Sequence, residues 1–477
     1  MEYDVVIGLE VHLQLATRTK AFCSCSTVFG NAPNSQVCPV CLGFPGSLPV
    51  LNETALDYAI KVGLVLDCII QEQTKFDRKN YFYPDLPKNY QISQYDLPLA
   101  KNGYLDIISE NKTRRIGIRR VHLEEDAGKL IHRQNNSVVD FNRCGIALLE
   151  IVSEPDIKSP QEAYEYLTEL KSILGYLEVS DCDMEKGSLR CDANVSLKEK
   201  GAGELGVKSE LKNMNSFRAV KEALSFEVQR QSALLTSGGK IIQETRLWDE
   251  KKSETSPMRS KEEAQDYRYF PEPDLPLFVI SEDKIQKIRE SIPELPKEKM
   301  QRFIKDYGLS EYEAKILTAS KKDADFAQEC LGSYPDKNKK ILVNFLIGPV
   351  LSEANNKNCI VVALGIKPQD LLELLRFLQQ EQISYLTAKI VLTEMINTKN
   401  SAVNIIASKN LIQVSDSAEL DGRIKAVIGE NPKSVEDYRS GKVNALMFLV
   451  GQVMKKTSGK ANPKVVQEIL KEKIKNA

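Results

Sequence analysis

The chain has 477 residues, of which 42% are hydrophobic and 27% charged, and its formal net charge is −1. This length is too great for one hydrophobic core and predicts two to four domains, while the near-neutral charge excludes a surface uniformly coated for nucleic acid. No apolar run approaches the roughly 18 residues of a membrane span and the first residues lack signal-peptide features, so we expect a cytoplasmic protein that does not contact a membrane.

Acidic residues occur inside apolar, strand-like runs from the beginning of the chain. The first run ends with Glu10 and His12, which would point to the same face of a strand because they are two residues apart. Burying a carboxylate in an apolar strand is costly without a partner. Three later strand-like runs repeat the pattern with Glu150, Asp192 and Glu210. A divalent metal is the simplest partner that several carboxylates can share, so the pattern indicates a metal site.

Four of the ten cysteines lie close together, as Cys23-x-Cys25 and Cys38-x-x-Cys41. Two closely spaced pairs can form two knuckles that converge on one tetrahedral ion, which predicts a structural Zn²⁺. The alternative is a set of reduced surface thiols. The remaining cysteines stand alone in largely apolar surroundings and are expected to be small core residues.

Two stretches combine cations with aromatic rings, at residues 78–85 and 266–274. The first reads RKNYFYPD and includes Lys79, and the second reads DYRYFPEPD and begins with Asp266. Cations beside stackable rings suit an anionic substrate such as a nucleotide. A tyrosine-rich loop that packs on its own domain would have the same composition, so both interpretations stay open.

The segment VHLEEDAGK at residues 121–129 places three adjacent carboxylates beside His122. Glu124, Glu125 and Asp126 repel one another unless cations lie among them. A solvated acidic turn would show the same triplet. Because acids also stand in the other strand-like runs, the triplet favours a shared metal, and we take it as the centre of the candidate site.

The coarse pattern predicts an α+β fold with a large, mainly antiparallel domain. Amphipathic helices are expected at 160–177 and 217–235, and the regular strand–helix alternation of a doubly wound fold is missing. Residues 201–206 match GxGxxG, but the alternating residues that follow predict a hairpin turn instead of a nucleotide-binding loop. The sequence contains no P-loop and supports no hydrolase triad, so any ATP would be held by an atypical site.

Residues 291–296 contain two prolines and are expected to form a linker. We therefore expect a catalytic domain at 1–293, an all-α helical domain at 294–400 and a small α-helical tail domain at 401–477. The end of the tail is rich in lysine, at Lys455, Lys456, Lys460, Lys464, Lys471, Lys473 and Lys475. Such a surface can hold a phosphate backbone, and a solvated helix shows the same pattern.

Taken together, the cysteine pairs and several long motifs resemble the B subunits of the tRNA-dependent amidotransferases that make Gln-tRNA and Asn-tRNA. The resemblance runs from end to end and implies a cradle-like catalytic domain, a helical domain and a tail domain that binds tRNA. It rests on IGLEVH (7–12), FDRKNYFYPDLPKNYQISQYD (76–96), HLEEDAGK (122–129), LLEIVSEPDI (148–157), GSLRCDANVS (187–196), ELKNMNSF (210–217), DYRYFPEPD (266–274) and GQVMKKTSGKANP (451–463).

The resemblance also implies partners and a reaction. The amidase, or A, subunit would release ammonia from glutamine, and the small C subunit would complete the heterotrimer. This chain would use ATP to phosphorylate the side-chain carboxylate of Glu or Asp misattached to tRNA, and ammonia would then displace the phosphate. Glu-tRNA(Gln), Asp-tRNA(Asn) or both are possible substrates.

The matching positions imply specific ligands and phosphate contacts. One Mg²⁺ would be held by His12, Glu125 and Glu150. A second, looser metal would be flanked by Glu10, Glu124 and Glu210. Phosphates would be met, or the acids ordered, by Lys79, Ser188, Arg190, Asp192 and Lys212. Because imidazole is an unusual ligand for Mg²⁺, Mn²⁺ is a plausible substitute, whereas Zn²⁺ at the cysteines would be scaffolding.

Two other functions are compatible with these residues. A noncatalytic tRNA-binding adaptor would use the acids and the zinc structurally. A metal-dependent phosphohydrolase would cleave phosphoesters without glutamine, tRNA or ATP. Transfer of radiolabel from the γ-phosphate of ATP to aminoacyl-tRNA separates the amidotransferase function from both.

Overall fold

The computed structural model describes residues 3–258, 267–335, 339–412, 417–457 and 461–476. Asp266 of the second aromatic stretch and Lys460 of the lysine-rich end lie outside these residues. The chain divides into two compact units, Met1–Leu295 and Pro296–Ala477. Within the described ranges, no helix is both long enough and apolar enough to cross a membrane.

The first unit contains the described strands. They are Tyr3–Gln14 (β1), Ile69–Ile70 (β2), Gln73–Thr74 (β3), Asp77–Asn80 (β4), Tyr90–Ser93 (β5), Ala100–Ser109 (β6), Lys112–Glu125 (β7), Lys129–His132 (β8), Ser137–Asp140 (β9), Ala147–Ser153 (β10), Leu189–Glu199 (β11), Ser209–Lys212 (β12), Glu244–Asp249 (β13), Glu254–Pro257 (β14), Phe270–Pro271 (β15) and Phe278–Val279 (β16). Its helices are Glu53–Val65 (α1), Pro160–Leu177 (α2), Phe217–Thr236 (α3) and Glu282–Glu290 (α4).

Nine strands form one sheet in the order β14-β13-β12-β11-β1-β10-β7-β6-β2. All neighbours pair antiparallel except β12 and β13, which are parallel. The predicted α+β fold with a mainly antiparallel sheet is confirmed. The GxGxxG segment joins the antiparallel strands β11 and β12, so the predicted turn is confirmed as well.

The two faces of this sheet differ in chemistry because its strands alternate. One face carries apolar side chains such as Val11, Leu149 and Val121, each at 0% exposure, and they belong to the core of the first unit. Helices α2 and α3 pack against this sheet through β6 and β11. Both helices begin at a serine, Ser159 and Ser216, whose side chain accepts a backbone N–H of the first turn. The helices therefore leave the other face free for polar residues.

The second unit is helical in its described part. Its elements are Pro296–Tyr307 (α5), Glu311–Leu317 (α6), Lys321–Ser333 (α7), Lys340–Phe345 (α8), a π-helical turn at Leu346–Val350, Leu351–Asn356 (α9), a 3₁₀ turn at Val361–Leu364, Pro368–Gln379 (α10), Tyr385–Thr398 (α11), Ala402–Ser408 (α12), Ser417–Glu430 (α13), Pro432–Arg439 (α14), Val443–Lys456 (α15) and Pro463–Asn476 (α16). Two separate hydrophobic clusters form within it. Helix α12 packs into the first cluster, whereas α13 to α16 form the second.

Candidate functional site

A row of polar residues crosses four adjacent strands at the centre of the sheet. His12 on β1 lies opposite Glu150 on β10, and Glu150 lies opposite His122 on β7. On the other side of β1, Arg190 of β11 lies opposite His12. Residues directly opposite each other share a face of the sheet, so these four side chains project together. The row brings together residues that stand up to 178 positions apart, the separation of His12 and Arg190.

The contacts within this row form a compact cluster around Glu150. Its Oε2 lies 3.3 Å from His12 Nε2 and 3.3 Å from His122 Nε2. His122 Nε2 also lies 3.5 Å from Glu124 Oε2, which accepts a hydrogen bond of 3.0 Å from Ser93 Oγ. Ligand atoms of His12, Glu124 and Glu150 all lie within 4.8 Å of one another. These three residues can therefore hold one metal ion.

The structure does not bring Glu125 to this cluster. Its carboxylate accepts hydrogen bonds from Lys88 Nζ and, at 2.9 Å, from the backbone N–H of Ile92. Strand β7 continues through Glu125, so consecutive residues point to opposite faces and only Glu124 shares the face of His122. Of the expected ligand set of His12, Glu125 and Glu150, the structure therefore brings together His12 and Glu150, and the acid that lies with them is Glu124 instead of Glu125.

Glu125 instead borders a separate pocket with a volume of about 180 Å³. Lys88 and Tyr90 line the same pocket, as do Cys23 and Cys41 of the cysteine cluster. Glu125 is 2% exposed, so its ion pair with Lys88 is almost completely shielded from solvent. Lys88 is not predictable from the sequence, since no local pattern links it to an acid 37 residues away.

The electrostatics of the cluster fit a site that a cation stabilises. Burial disfavours the charged imidazole of His122, but Glu150 and Glu124 more than offset this and raise its pKa to about 9. Burial likewise opposes ionisation of Glu150, yet His122 and His12 hold the pKa of its carboxyl far below the usual range. The neighbouring acids thus favour the protonated form of both imidazoles, which would place positive charge between the carboxylates. A divalent cation bound by the same oxygens would supply it more compactly.

Glu10 lies two residues before His12 on β1, on the same face of the sheet, and is opposite Asp192 of β11. Burial raises the pKa of the Glu10 carboxyl, and repulsion from Glu150 raises it further. Its Oε1 accepts a hydrogen bond of 3.0 Å from Asn194 Nδ2. Glu10 therefore has no cation of its own in the described structure and lies next to the proposed ligands.

Asp192, Glu210 and Lys212 form an ion-pair network at the next strand pair. Lys212 Nζ lies 2.8 Å from Asp192 Oδ2 and 3.0 Å from Glu210 Oε1. Glu210 Oε2 also accepts a hydrogen bond of 2.7 Å from Thr245 Oγ1. Burial opposes the charge on Lys212, but Asp192 and Glu210 raise its pKa well above the usual value. Glu210 is thus neutralised by Lys212, and it does not belong to the compact cluster around Glu150.

Asp126, the third acid of the triplet, positions Arg190. It is 2% exposed, and its two oxygens accept hydrogen bonds from Arg190 Nη2 at 2.9 Å and Gln14 Nε2 at 2.7 Å. Burial opposes its ionisation, but Arg190 and Arg143 lower the pKa of Asp126. From the sequence, Asp126 is recognisable only as part of the triplet. Arg190 and Gln14, which bind Asp126, are distant from it in sequence, so no local pattern indicates that Asp126 positions Arg190.

Lys79 lies close to the acids, on a wall of aromatic rings. Burial opposes its charge, but Glu124 and other neighbours raise its pKa. Lys79 Nζ lies 4.8 Å from the centre of the Tyr267 ring. The two aromatic stretches meet through β4 and β15, where Phe270 pairs with Arg78. They form one wall, and Arg78 itself is held by Glu272 through hydrogen bonds of 2.7 and 2.8 Å.

Ser188 is engaged in a local turn before β11. Its hydroxyl donates to Asp181 and accepts a hydrogen bond of 2.9 Å from the backbone N–H of Asp183. The structure therefore does not place a free Ser188 hydroxyl at the acidic cluster. The carboxylate of Asp181 and the backbone of Asp183, seven and five residues away in sequence, hold this hydroxyl, and the strand pattern alone does not predict these contacts.

The four predicted cysteines converge. The sulfur atoms of Cys23, Cys25, Cys38 and Cys41 all lie within 4.8 Å of one another, and those of Cys38 and Cys41 are 3.9 Å apart. Four sulfurs about 2.3 Å from one zinc ion would be separated by about 3.8 Å, so the cluster fits such an ion. A hydrogen bond from Cys23 lowers the pKa of Cys41 to about 4, against the effect of burial. The cluster can therefore bind a metal.

Known protein families match both parts of the chain. The GatB/GatE catalytic domain matches residues 5–286, and the GatB domain matches residues 325–474. A protein of Caldanaerobacter subterraneus subsp. tengcongensis is 54% identical over 475 residues, covering 99% of this chain and 100% of the relative. Proteins of Carboxydothermus hydrogenoformans and Moorella thermoacetica are 53% and 51% identical over 478 residues, covering 99% of this chain and 99% and 100% of the relatives. All three are named as the B subunit of an aspartyl/glutamyl-tRNA(Asn/Gln) amidotransferase.

Proposed function

This chain belongs to the GatB/GatE family of amidotransferase subunits, and we propose that it activates the side-chain carboxylate of Asp or Glu attached to tRNA. The chain is a subunit of an amidotransferase enzyme, and its relatives are named for Asp/Glu-tRNA. The observation that carries the proposal is the convergence of His12, Glu124 and Glu150 on one face of the sheet. The substrate is Glu-tRNA(Gln), Asp-tRNA(Asn) or both.

The proposed reaction has two steps. A carboxylate oxygen of the misacylated amino acid attacks the γ-phosphorus of ATP, and the bond to the β-phosphate oxygen breaks to release ADP. The acyl phosphate then reacts with ammonia, which forms the amide, while inorganic phosphate leaves with the electron pair of the C–O bond and the nitrogen loses a proton. The first step is needed because a carboxylate is a poor electrophile at neutral pH.

Divalent metal would stabilise the charge that develops on the transferring phosphoryl group. We propose that His12, Glu124 and Glu150 hold the first ion, with Glu124 in place of Glu125. Glu10 and Glu210 would flank a second, looser ion, in a location where burial already raises the pKa of Glu10. Oxygen ligands suit Mg²⁺, and the two imidazole-bearing residues beside them make Mn²⁺ a plausible substitute.

Three cations around the acids would meet the phosphates of ATP. Lys79, Arg190 and Lys212 each lie beside an acid of the polar face, and all three keep raised pKa values. Asp192 orders Lys212 by accepting its hydrogen bond of 2.8 Å. Ser188 would contribute only after its turn reorganises, so it is not among the proposed phosphate contacts. The aromatic wall beside Lys79 offers rings on which a base of ATP or tRNA can stack.

We propose a structural Zn²⁺ at the four cysteines. The two knuckles meet at their sulfur atoms, so a metal at this position would fix the loop between β1 and α1. The cluster does not point into the polar face of the sheet, and Cys23 and Cys41 border the pocket of Glu125 instead. The zinc would therefore serve the scaffold.

The proposed partners are the amidase (A) and small (C) subunits of a heterotrimer and the misacylated tRNA, in the cytoplasm. Five large apolar residues around the cysteine knuckles are more than half exposed, namely Val28, Phe29, Phe44, Leu48 and Val50. A patch of this kind is typical of a protein–protein interface, which suits one chain of a larger enzyme. For tRNA, we propose the bundle α13 to α16, because Lys455, Lys471 and Lys475 are exposed and form no ion pair in its described part.

The decisive experiment uses the assembled enzyme with γ-³²P-labelled ATP and Asp-tRNA(Asn) or Glu-tRNA(Gln), without an ammonia source. The proposal expects label on the aminoacyl-tRNA, and transfer of the label to inorganic phosphate when ammonia is added. A noncatalytic adaptor would give no labelled aminoacyl-tRNA. A phosphohydrolase would release phosphate without requiring aminoacyl-tRNA.

A further inference from the structure

The most unusual buried side chain outside the polar sheet face is that of Lys20. It is 0% exposed and is among the largest fully buried side chains of the first unit. A buried ammonium group is costly unless an opposite charge and hydrogen-bond acceptors compensate it. Within the described residues, no carboxylate oxygen lies within the 4.0 Å ion-pair distance of Lys20 Nζ. Its compensation must come from another kind of group.

The neighbours of Lys20 Nζ are a sulfur atom and a backbone carbonyl. Nζ donates to Cys41 Sγ at 3.6 Å and to the carbonyl oxygen of Phe141 at 3.3 Å. A neutral thiol is a weak acceptor and carries no charge, so it compensates an ammonium group less well than a thiolate does. A metal-bound cysteinate keeps negative charge on its sulfur, and four of them around one Zn²⁺ carry more negative charge than the ion neutralises.

The main chain of Lys20 supports the other half of the cluster. Its backbone N–H donates to the carbonyl oxygen of Cys25 at 3.0 Å, next to a bridge between Thr19 and Ser26. Lys20 thus contacts the first knuckle through its backbone and the second knuckle through its side chain. The loop that carries Phe141 continues to Gly145, whose φ of +82° allows it to lie against Lys20 and Cys41. One residue therefore links both knuckles to this loop.

We propose that Lys20 is the buried charge partner of a metal–thiolate centre formed by Cys23, Cys25, Cys38 and Cys41. This rests on the zinc site proposed above and adds a residue that is not a ligand. Lys20 stabilises the anionic, metal-loaded cluster by a charge-assisted N–H···S hydrogen bond to Cys41. It is a positioning residue, and it transmits the order of the cluster to the loop at Phe141.

The test compares zinc release from wild type and from Lys20→Met, which keeps the length of the side chain and removes its charge. Both proteins are purified as the assembled enzyme and mixed with a colorimetric zinc chelator. We expect the variant to lose zinc about tenfold faster or more, which is the lower range for removing a partner that supports a ligand. Lys112→Met, at an exposed lysine of β7, is the matched control and should release zinc at the wild-type rate.

A second measurement distinguishes charge compensation from simple packing. The midpoint of urea unfolding is measured with zinc bound and after zinc removal, and Lys20→Met should lower it much more in the zinc-bound protein. An equal loss in both forms, or zinc release within twofold of wild type, would overturn the proposal. Lys20→Gln, which keeps a donor to Phe141 without the charge, replaces the methionine variant if that variant does not fold. If the purified wild-type enzyme contained no zinc, the zinc site itself would be excluded. Normal zinc release by the variant is a different outcome, because it would exclude only the role of Lys20.

Discussion

Glu124 and Glu125 are adjacent in β7, yet their carboxylates lie in different environments. Glu124 Oε2 is 3.5 Å from His122 Nε2, whereas Glu125 accepts a hydrogen bond of 2.9 Å from the backbone of Ile92. Both residues are almost fully buried, at 3% and 2% exposure, so neither can leave its side of the sheet without disrupting packing. Two neighbouring acids thus have different proposed roles, and paired variants can separate them.

We predict that Glu124→Gln weakens Mn²⁺ binding by roughly 100-fold and suppresses aminoacyl-tRNA-dependent ATP cleavage, because it removes one of three proposed ligands. Glu125→Gln is the matched control, since it changes the next residue in the same way and should leave Mn²⁺ affinity within about threefold. Manganese affinity is measured by electron paramagnetic resonance on the assembled enzyme. Equal losses in both variants would argue against the revised ligand set.

We predict that His122 orients the two acids without contacting substrate. Its Nε2 faces Glu150 and Glu124 at 3.3 and 3.5 Å, and its ring is 2% exposed. His122→Leu should weaken Mn²⁺ binding by about 10- to 100-fold, while His122→Asn should recover part of the loss because its amide can still donate. His132→Leu, at a histidine whose side chain bonds Ser137 on the β8–β9 ribbon, should change nothing. Unchanged Mn²⁺ affinity in His122→Leu would remove the orienting role.

We predict that purified enzyme contains about one zinc ion per copy of this chain and that the double variant Cys38→Ser, Cys41→Ser loses it. The reason is that a serine hydroxyl at these two positions cannot replace a thiolate. Zinc is measured by mass spectrometry of metals after gel filtration. Cys330→Ser, at a buried cysteine of the second unit, is the control and should keep its zinc. Full zinc content in the double variant would exclude these ligands.

The sequence predicted which residues lie together better than it predicted their detailed contacts. Alternation within strands correctly placed Glu10 and His12 on one face, and cysteine spacing correctly predicted a cluster, because both patterns are local. The sequence did not show where β7 ends. Because the strand includes Glu125, the alternation of side chains places Glu125 and Glu124 on opposite faces of the sheet. Ser188 and Lys20 were beyond such patterns, since their roles depend on contacts made by the folded loops.

We predict that Glu227 stabilises the packing of α3 on the sheet and does so in a pH-dependent way. It is 0% exposed and lies 2.5 Å from Arg230 Nη2 and 3.3 Å from Arg246 Nε. Burial opposes its charge, but Arg230 and other neighbours lower its pKa below the ordinary 4.5. Its contribution is thus complete above pH 4.5 and is lost as the pH falls through the lowered pKa. Glu227→Gln should cost about 3 kcal/mol of unfolding free energy at pH 7 and progressively less in acid.

Urea unfolding of wild type and Glu227→Gln between pH 3 and 7 would check this prediction. Glu222→Gln, which breaks an exposed pair with Arg218 on the same helix, is the control and should cost less than about 0.5 kcal/mol. A cost for Glu227→Gln that does not change with pH would show that shape, and not charge, determines the effect.

We predict that the exposed lysines of α16 contribute to tRNA binding. Lys471 and Lys475 are exposed, whereas Lys473 on the same helix is paired with Asp421 of α13. If both exposed lysines contact phosphates, Lys471→Ala, Lys475→Ala should weaken binding and reduce the slope of log affinity against log salt by about 1.5. Lys473→Ala is the control, because a lysine already neutralised by Asp421 releases fewer counterions from tRNA and should change the slope by much less. Filter binding of labelled tRNA to the assembled enzyme between 50 and 300 mM salt gives these slopes, and identical slopes for the double variant and wild type would assign this helix to protein contacts instead.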